Sequence, residues 1–559
     1  MKTYFFKYPI ILILFIFSAS ACDDFLEEDP YSFVSGENFY TSATNAELGL
    51  TGVYNVMNTG SIQNQTNQAL WGRGIHYLLM HGDEIIGNLP DISAANHKDI
   101  ASMAYNSESS FVSDAWFALY VGVNRANYII KYVPAISMGP DRKAEIIAEA
   151  RFLRAFYELY LTWLFGAIPL PVDPTGDIYL ERSPLSVVYA SILNDLDAAY
   201  KNLPDRNSRP GRVNKWTAAG FMVKVYTYLA AAKINNVAAD MDFELNSFDW
   251  VDADDSYRKA ETIARDIYDN AGYSLENPVY KAFLADTKND QKKECLMVVQ
   301  SGPDGSNNYY LFSYLTGPQG SVGINGGNYG WMRPLGELAD KYNMQDSRFF
   351  WNIQGNLGGT ASTSINGAKY FTPYVVNATG SNLCLTKFRQ SDPALRTAIG
   401  MPTWASNIDF PVLRFSDIML LLAEAMYMNG DETAARSMIT EVRKRACTNG
   451  ISVDQTTLNT LNSVYYKADF MQELMDERSR ELCGENWRRI DLIRMGTFVS
   501  TIKSLKREAL AGSPYYYFNR SVGTLADNLG NDNHKIWYPI PKREIAVNPT
   551  LIQNPGYGN

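Results

Sequence analysis

The chain is poor in the residues that most often ligate metals or attack substrates. Its 559 residues include four histidines and five cysteines, with no CxxC pair. His76 and His81 are five positions apart, which is poor spacing for two ligands on one helix face, so no Cys/His metal site of zinc type is expected. Cys22, Cys295, Cys384, Cys447 and Cys483 are scattered, which excludes a disulfide framework; one bridge among the last four stays open in an exported protein. GxSxG, Walker A, HExxH and EF-hand patterns are absent, and Gly323 to Gly330 (GINGGNYG) lacks the strand and helix that a phosphate loop needs. No catalytic residue is assigned, although a glycosidase-type carboxylate pair is a matter of spatial separation that sequence does not display. A net charge of −10, without a block of one sign, argues against a nucleic-acid surface. Beyond the first residues there is no apolar run of membrane length.

What is present is an apolar and aromatic chain: 46% apolar residues, 13% aromatic, with 36 tyrosines. It is organised around Ala144 to Pro171 (AEIIAEARFLRAFYELYLTWLFGAIPLP), where Ile146, Ala150, Leu153, Tyr157, Leu161 and Leu164 recur at helical spacing. Gly166 and the following prolines predict its end, and Arg151 and Arg154 need partners if their heads are buried. Helical patterns also cover Ala46–Asn58, Trp116–Val133, Val187–Leu203, Trp216–Ala232, Tyr257–Tyr268, Asp417–Met428 and Ala434–Ala446. Ser183 is the expected N-cap of the Val187 helix, and Phe410 to Phe415 reads as the return of helical pattern. Helices of this length joined by short loops predict a mainly α, tetratricopeptide-like solenoid, although the 34-residue consensus is not kept. Cys295 to Gln300 reads as a short buried strand within a stretch rich in Gly, Asn, Ser and Tyr. Residues 233–256 read as an acidic insertion.

At the N-terminus, Lys2 and Lys7 precede the apolar run Ile10–Phe17, and Ser18-Ala19-Ser20-Ala21-Cys22 has the form of a lipobox. Cys22 is therefore the expected lipidation site, followed by an acidic tether, Asp23-Asp24 and Glu27-Glu28-Asp29.

Several of these stretches together resemble one family. Glu149-Ala150-Arg151-Phe152-Leu153-Arg154-Ala155 with Phe165-Gly166-Ala167-Ile168-Pro169-Leu170, Asn124-Arg125-Ala126-Asn127, ELMDERSRELCGENWRRIDLIRMG within Phe470–Phe498, and the tail WYPIPKREIAVNPTLIQNPGYGN resemble the SusD/RagB nutrient-binding lipoproteins of Bacteroidetes. The CDDFLEEDP start fits the same family and its surface-export signal. The resemblance implies a protein lipid-anchored to the outer membrane and facing the cell exterior. It implies capture of an oligo- or polysaccharide, delivered to a SusC-like TonB-dependent transporter. No enzyme activity and no cofactor are implied; oxygen-rich loops leave Ca²⁺ open without a spaced ligand set. A surface glycoside hydrolase and a peptide-binding solenoid scaffold are the alternatives.

The expected organisation is a signal peptide at 1–21, a lipidated tether at 22–45, a first helical region at 46–276, a loop-rich inserted subdomain at 277–403, and a C-terminal helical region at 404–559. Sugars offer flat CH faces and hydroxyl rims, which aromatic rings and polar side chains complement. Two segments supply both. In Asn307–Arg333 the candidates are Tyr309, Tyr310, Tyr329, Trp331 and Arg333; in Trp71–Asp91 they are Trp71, His76, Asn88 and Asp91. The resemblance places the family's ligand site in non-solenoid loops of these two general regions but carries over no residue by identity. The charged set Glu424, Glu477, Glu481, Glu485, Arg478, Arg488, Arg489 and Asp491 reads as a structural network between helices rather than a site.

Overall fold

The computed structural model describes residues 36–57, 71, 74–90, 92–206, 209–284, 291–301, 315–317, 329–354, 362–365, 368–371, 383–388, 408–448, 452–505, 520–530 and 533–558. Its main helices are α1 (Ala43–Tyr54), α2 (Ser110–Tyr132), α3 (Pro140–Phe165), α4 (Leu185–Asn202), α5 (Lys215–Ile234), α6 (Ala253–Asn270), α7 (Phe415–Met428), α8 (Glu432–Lys444), α9 (Gln455–Tyr465), α10 (Phe470–Leu482) and α11 (Arg488–Arg494). From α2 to α8 each helix packs on the next in chain order. This is the tetratricopeptide-like solenoid that the spacing predicts, and it continues from α6 to α7 across the long segment between them.

Helix α3 is the centre of this stack. Pro140 fits its first turn, where a missing N–H costs nothing. Gly166 ends it at φ +77°, and Asn246 Oδ1 accepts the next amide, Ala167 N–H, at 2.7 Å. From Phe152 to Phe165 every residue of α3 is buried. Close approach to α2 depends on Gly122, where a Cβ would stand 2.4 Å from the Tyr157 ring. The two motif arginines find one partner on α4. Arg154 donates to both Asp195 oxygens at 2.6 and 2.9 Å, and Arg151 to the same carboxylate at 3.2 Å. The C-terminal tail closes on the end of α3: Tyr538 N–H donates to Leu164 O at 2.7 Å and Asn554 Nδ2 to Phe165 O at 3.0 Å.

Strands are short and paired across long stretches of chain. β1 (Ile85–Gly87) pairs with β3 (Met332–Pro334), and β2 (Cys295–Val299) with β8 (Phe410–Arg414). β4 (Ile353–Gln354) pairs with β7 (Cys384–Leu385), and β5 (Ser362–Ile365) with β6 (Ala368–Phe371). All four pairs are antiparallel. Phe410–Arg414 is thus a strand and not the start of the α7 helix pattern. Its five residues are all buried, so it reads as a continuous apolar run whichever structure it adopts. Ser183 also departs from expectation. Its amide donates to Ile168 O at 2.9 Å, and α4 starts after Pro184 without a side-chain cap.

The loop-rich segment is keyed to the C-terminal helices by buried charge. Arg348 meets Asp346, Glu477 and Glu481 at 2.8 to 3.1 Å. Arg414 meets Glu294, Glu481 and Glu485 at 2.5 to 3.0 Å, Arg445 binds Glu294 at 2.7 Å, and Lys387 pairs with Glu485. A second group joins Lys224, Asp417, Arg478, Asp491, Arg494 and Glu424. These groups are the structural network expected from sequence, with two refinements. Glu485 lies past the end of α10, because Gly484 at φ +75° and Asn486 at φ +71° turn the chain before α11. Arg489 donates to the backbone carbonyls of Lys535 and Ile536. Burial opposes ionisation here, yet Arg445 and Arg414 hold Glu294 down to about 2, and Arg348, Arg480 and Arg443 hold Glu477 well below the usual carboxylate range.

Candidate functional site

The β1–β3 ladder brings together the two candidate segments that sequence singles out. Ile86 stands opposite Arg333 and Gly87 opposite Met332. The pairing continues past the strands, with Asn88 N–H donating to Trp331 O at 2.7 Å and Leu335 N–H to Glu84 O at 2.8 Å.

Trp331 and Tyr329 emerge at the end of this ladder. Their rings stack at 4.7 Å between centroids and 13° between planes. Trp331 is partly buried, and Tyr329 is 43% exposed. Behind Trp331 stands His97, edge-on at 5.1 Å, and behind His97 stand Tyr77 and Phe111 at 4.8 and 4.9 Å. The series runs from a fully buried core to an exposed phenol, so each ring is fixed by the one beneath it. Gly330 makes the turn between the two rings. It has φ +59°, and a Cβ there would lie 2.4 Å from the Arg333 guanidinium. Arg333 is completely buried and donates through Nε to Gly330 O at 2.8 Å and through Nη1 to Cys384 Sγ at 2.9 Å. It braces the turn from within and does not reach the surface, which corrects its assignment as a ligand contact.

Two other candidates are also core residues. Trp71 has no exposed surface and packs on Phe156 at 5.3 Å and Tyr160 at 5.1 Å, both on α3. His76 is equally buried. Its Nδ1 is 3.0 Å from Asn486 Oδ1, its Nε2 is 3.0 Å from Trp71 O, and burial lowers its pKa to about 4. It is neutral at physiological pH and joins the start of the chain's loop region to the turn before α11. Asn88 is 2% exposed and contributes its backbone to the ladder. Tyr309, Tyr310, Asp91 and Cys22 lie outside the described residues.

Asp83, in the same segment, is engaged elsewhere. Burial alone would raise its carboxyl, but Arg488 and Lys341, each 2.7 Å away at closest Oδ2 contact, hold it well below the usual range. Beside it Glu84 is pushed up to about 7, chiefly by burial, and accepts from Ser479 Oγ at 2.9 Å. Cys295, Cys384, Cys447 and Cys483 are buried and unbridged, which resolves the open question of a disulfide among them. Among the described residues no group of three or more His, Cys, Asp or Glu is placed to hold a metal ion, and no helix is long and apolar enough to cross a membrane.

Sequence reasoning missed His97, which backs the platform, and Gly330, which turns it. Neither carries a local signal, because His97 meets Trp331 only through the ladder.

The chain can do one thing well at this place: offer a rigid, exposed aromatic surface to a flat apolar face. Comparison with known proteins bears on the family and the fold. Residues 195–557 match the SusD family model, and residues 24–227 match a model described as starch-binding, associating with outer membrane. SusD-like protein P25 of Formosa agariphila is 23% identical over 583 residues, covering 98% of each chain. The starch-binding protein SusD of Bacteroides thetaiotaomicron is 24% identical over 460 residues, covering 73% of this chain and 72% of its own. In fold, a SusD superfamily protein of Bacteroides vulgatus superposes with a TM-score of 0.68 at 17% identity, covering 93% of this chain and 100% of its own. A laminarin-binding SusD-like protein superposes at 0.65 and 21% identity with the same coverage. With its helical solenoid, its keyed loop segment and a family match over most of its length, this chain belongs to the SusD/RagB family.

Proposed function

We propose that the protein captures a glycan at the cell surface, without cleaving it, and delivers it to a SusC-like TonB-dependent transporter in the outer membrane. The observation that carries the binding reading is the Tyr329–Trp331 stack, an exposed ring pair whose support extends into the core. A pyranose ring has an axial CH face that matches such a surface, and a platform already fixed in place loses little entropy on binding. Relatives named as starch-binding and laminarin-binding support the ligand class. Anchoring through a lipidated Cys22 and an outward-facing position complete the reading, supported by the lipobox form of residues 18–22 and by the outer-membrane description of the matching model.

Affinity electrophoresis through gels containing different polysaccharides, with released sugar assayed in parallel, tests this. Retardation by one glycan without product supports capture and names the ligand. Released product would make the protein a hydrolase. No retardation by any glycan would overturn the glycan reading.

A further inference from the structure

A second aromatic surface, remote in sequence from the first, has the same construction. The acidic insertion after α5 folds into two short turns, Ala239–Met241 and Glu244–Asn246, and ends at Trp250. Trp250 is 42% exposed. Its indole N–H is already spent on Ser247 O at 2.8 Å, which fixes the ring and leaves its face as what it has to offer. Tyr189 lies against it at 6.3 Å and 34°, and Tyr228 lies against Tyr189 at 6.3 Å and 28°; both tyrosines are buried. An exposed ring backed by two buried rings parallels Tyr329, which is backed by partly buried Trp331 and buried His97.

Trp250 edges a cleft of about 820 Å³, within the range of about 300–1,000 Å³ usual for small-molecule sites. Its walls come from residues 181–186, 243–250 and 550–552. Arg182 ties these walls together from below. It is 5% exposed and donates to Ala167 O at 2.8 Å, Phe165 O at 3.2 Å, Ile552 O at 2.8 Å and Asn554 Oδ1 at 2.7 Å, with its guanidinium 5.2 Å from the Phe243 ring. The cleft is therefore preformed. Glu181, Glu244 and Asp249 stand at its exposed edge, and Lys233 meets Asp249 at 2.8 Å. A neighbouring cavity of about 370 Å³ shares Phe243, Glu244, Ser247 and Asp249, so the groove extends beyond one pocket.

We infer that the Trp250 cleft is a second saccharide-binding site, one that takes neutral hexose units of a polysaccharide and refuses acidic ones. An aromatic face suits the CH side of the sugar. Glu181 and Glu244 at the edge accept from its hydroxyls and repel uronate or sulfate groups, Asp249 being offset by Lys233. A chain engaged at two places on one protein is held more tightly than at either alone. This inference rests on the glycan-binding reading above.

Hydrogen exchange read by mass spectrometry on the full-length purified protein tests it, with laminarin and amylopectin as neutral probes and alginate as the acidic one. The expected result is slowed exchange at residues 243–250 with a neutral glycan and not with alginate. Trp250→Ala should remove that protection, keep protection at 329–335 and weaken polymer binding about tenfold with thermal stability unchanged, since the ring is exposed. Protection at 329–335 alone, or equal protection of 243–250 by alginate, overturns the second site. Protection at 243–250 alone supports it and overturns the Tyr329–Trp331 platform. No protection at either stretch by a neutral glycan that retards the protein in affinity gels overturns both sites.

Discussion

The two halves of the molecule are held together by different physics. From α2 to α5 the helices meet mainly through apolar rings and aliphatic chains, and buried carboxylates are few: Asp195, serving two arginines, with Glu149 and Glu158 on α3. Around α10 the reverse holds: Glu473, Glu477, Arg478, Arg480 and Glu481 are all buried on one thirteen-residue helix. Apolar contacts are non-directional and tolerate small shifts. Ion pairs in a low-dielectric interior are directional, and each depends on its partner. The apolar half supplies a stack; the charged seam fixes where Arg348, Lys387 and Arg414 sit, and with them the loop-rich segment that carries the aromatic platform.

Removing one member of the seam is the strongest way to break this contrast. Arg414→Ala leaves Glu294, Glu481 and Glu485 without their shared cation and should cost about 3–5 kcal/mol in denaturant unfolding. Leu153→Ala, on the apolar side, should cost about 2–5 kcal/mol through lost burial and a cavity. Acid separates the two. Glu294 and Glu477 have folded pKa values below their unfolded ones, so their contribution is complete above about 4.5 and is lost as pH falls toward about 2, the value for Glu294. Stability measured across that window should fall steeply in the parent and in Leu153→Ala, and less steeply in Arg414→Ala. Parallel slopes in all three would contradict the contrast.

Smaller effects sharpen it. Gly330→Ala forces a side chain into a left-handed conformation against Arg333 and should cost about 1–2 kcal/mol while displacing the platform, read as weaker glycan retardation. Glu158, buried on α3, has its pKa raised to about 8 by burial. Its folded form binds a proton more tightly than the unfolded one, so stability declines as pH rises from about 4.5 to about 8. Glu158→Gln should flatten that decline in thermal melts at pH 6 and pH 8.

Much of the stack was legible because helices write their periodicity into neighbouring residues. The requirement of Arg151 and Arg154 for a partner could be stated from their apolar surroundings; that Asp195 meets it could not, because helix packing chose it. Of the candidate residues named from sequence, Tyr329 and Trp331 form the exposed stack, whereas Trp71, His76 and Arg333 are buried. Trp71 and His76 sit among Asn, Gly and Ser, the composition of exposed loops, but contacts with α3 and with Asn486 bury them. Arg333 and Tyr329 are four positions apart in one Gly-rich stretch, and only the ladder with Ile85–Gly87 turns one inward and leaves the other outside. Phe410–Arg414 is ambiguous locally, and its partner strand decides it.

The central claim is that Tyr329 and Trp331 form the glycan contact. Titration calorimetry with a glycan that retards the parent protein, repeated on Tyr329→Ala and Trp331→Ala, tests it most directly. Loss of a ring at a binding centre is worth about 2 kcal/mol or more, so Kd should rise at least about tenfold in both variants, with the unfolding midpoint of Tyr329→Ala close to the parent's and that of Trp331→Ala lower but still well above the temperature of the titration. Unchanged affinity in both variants, with folding intact, would contradict the account.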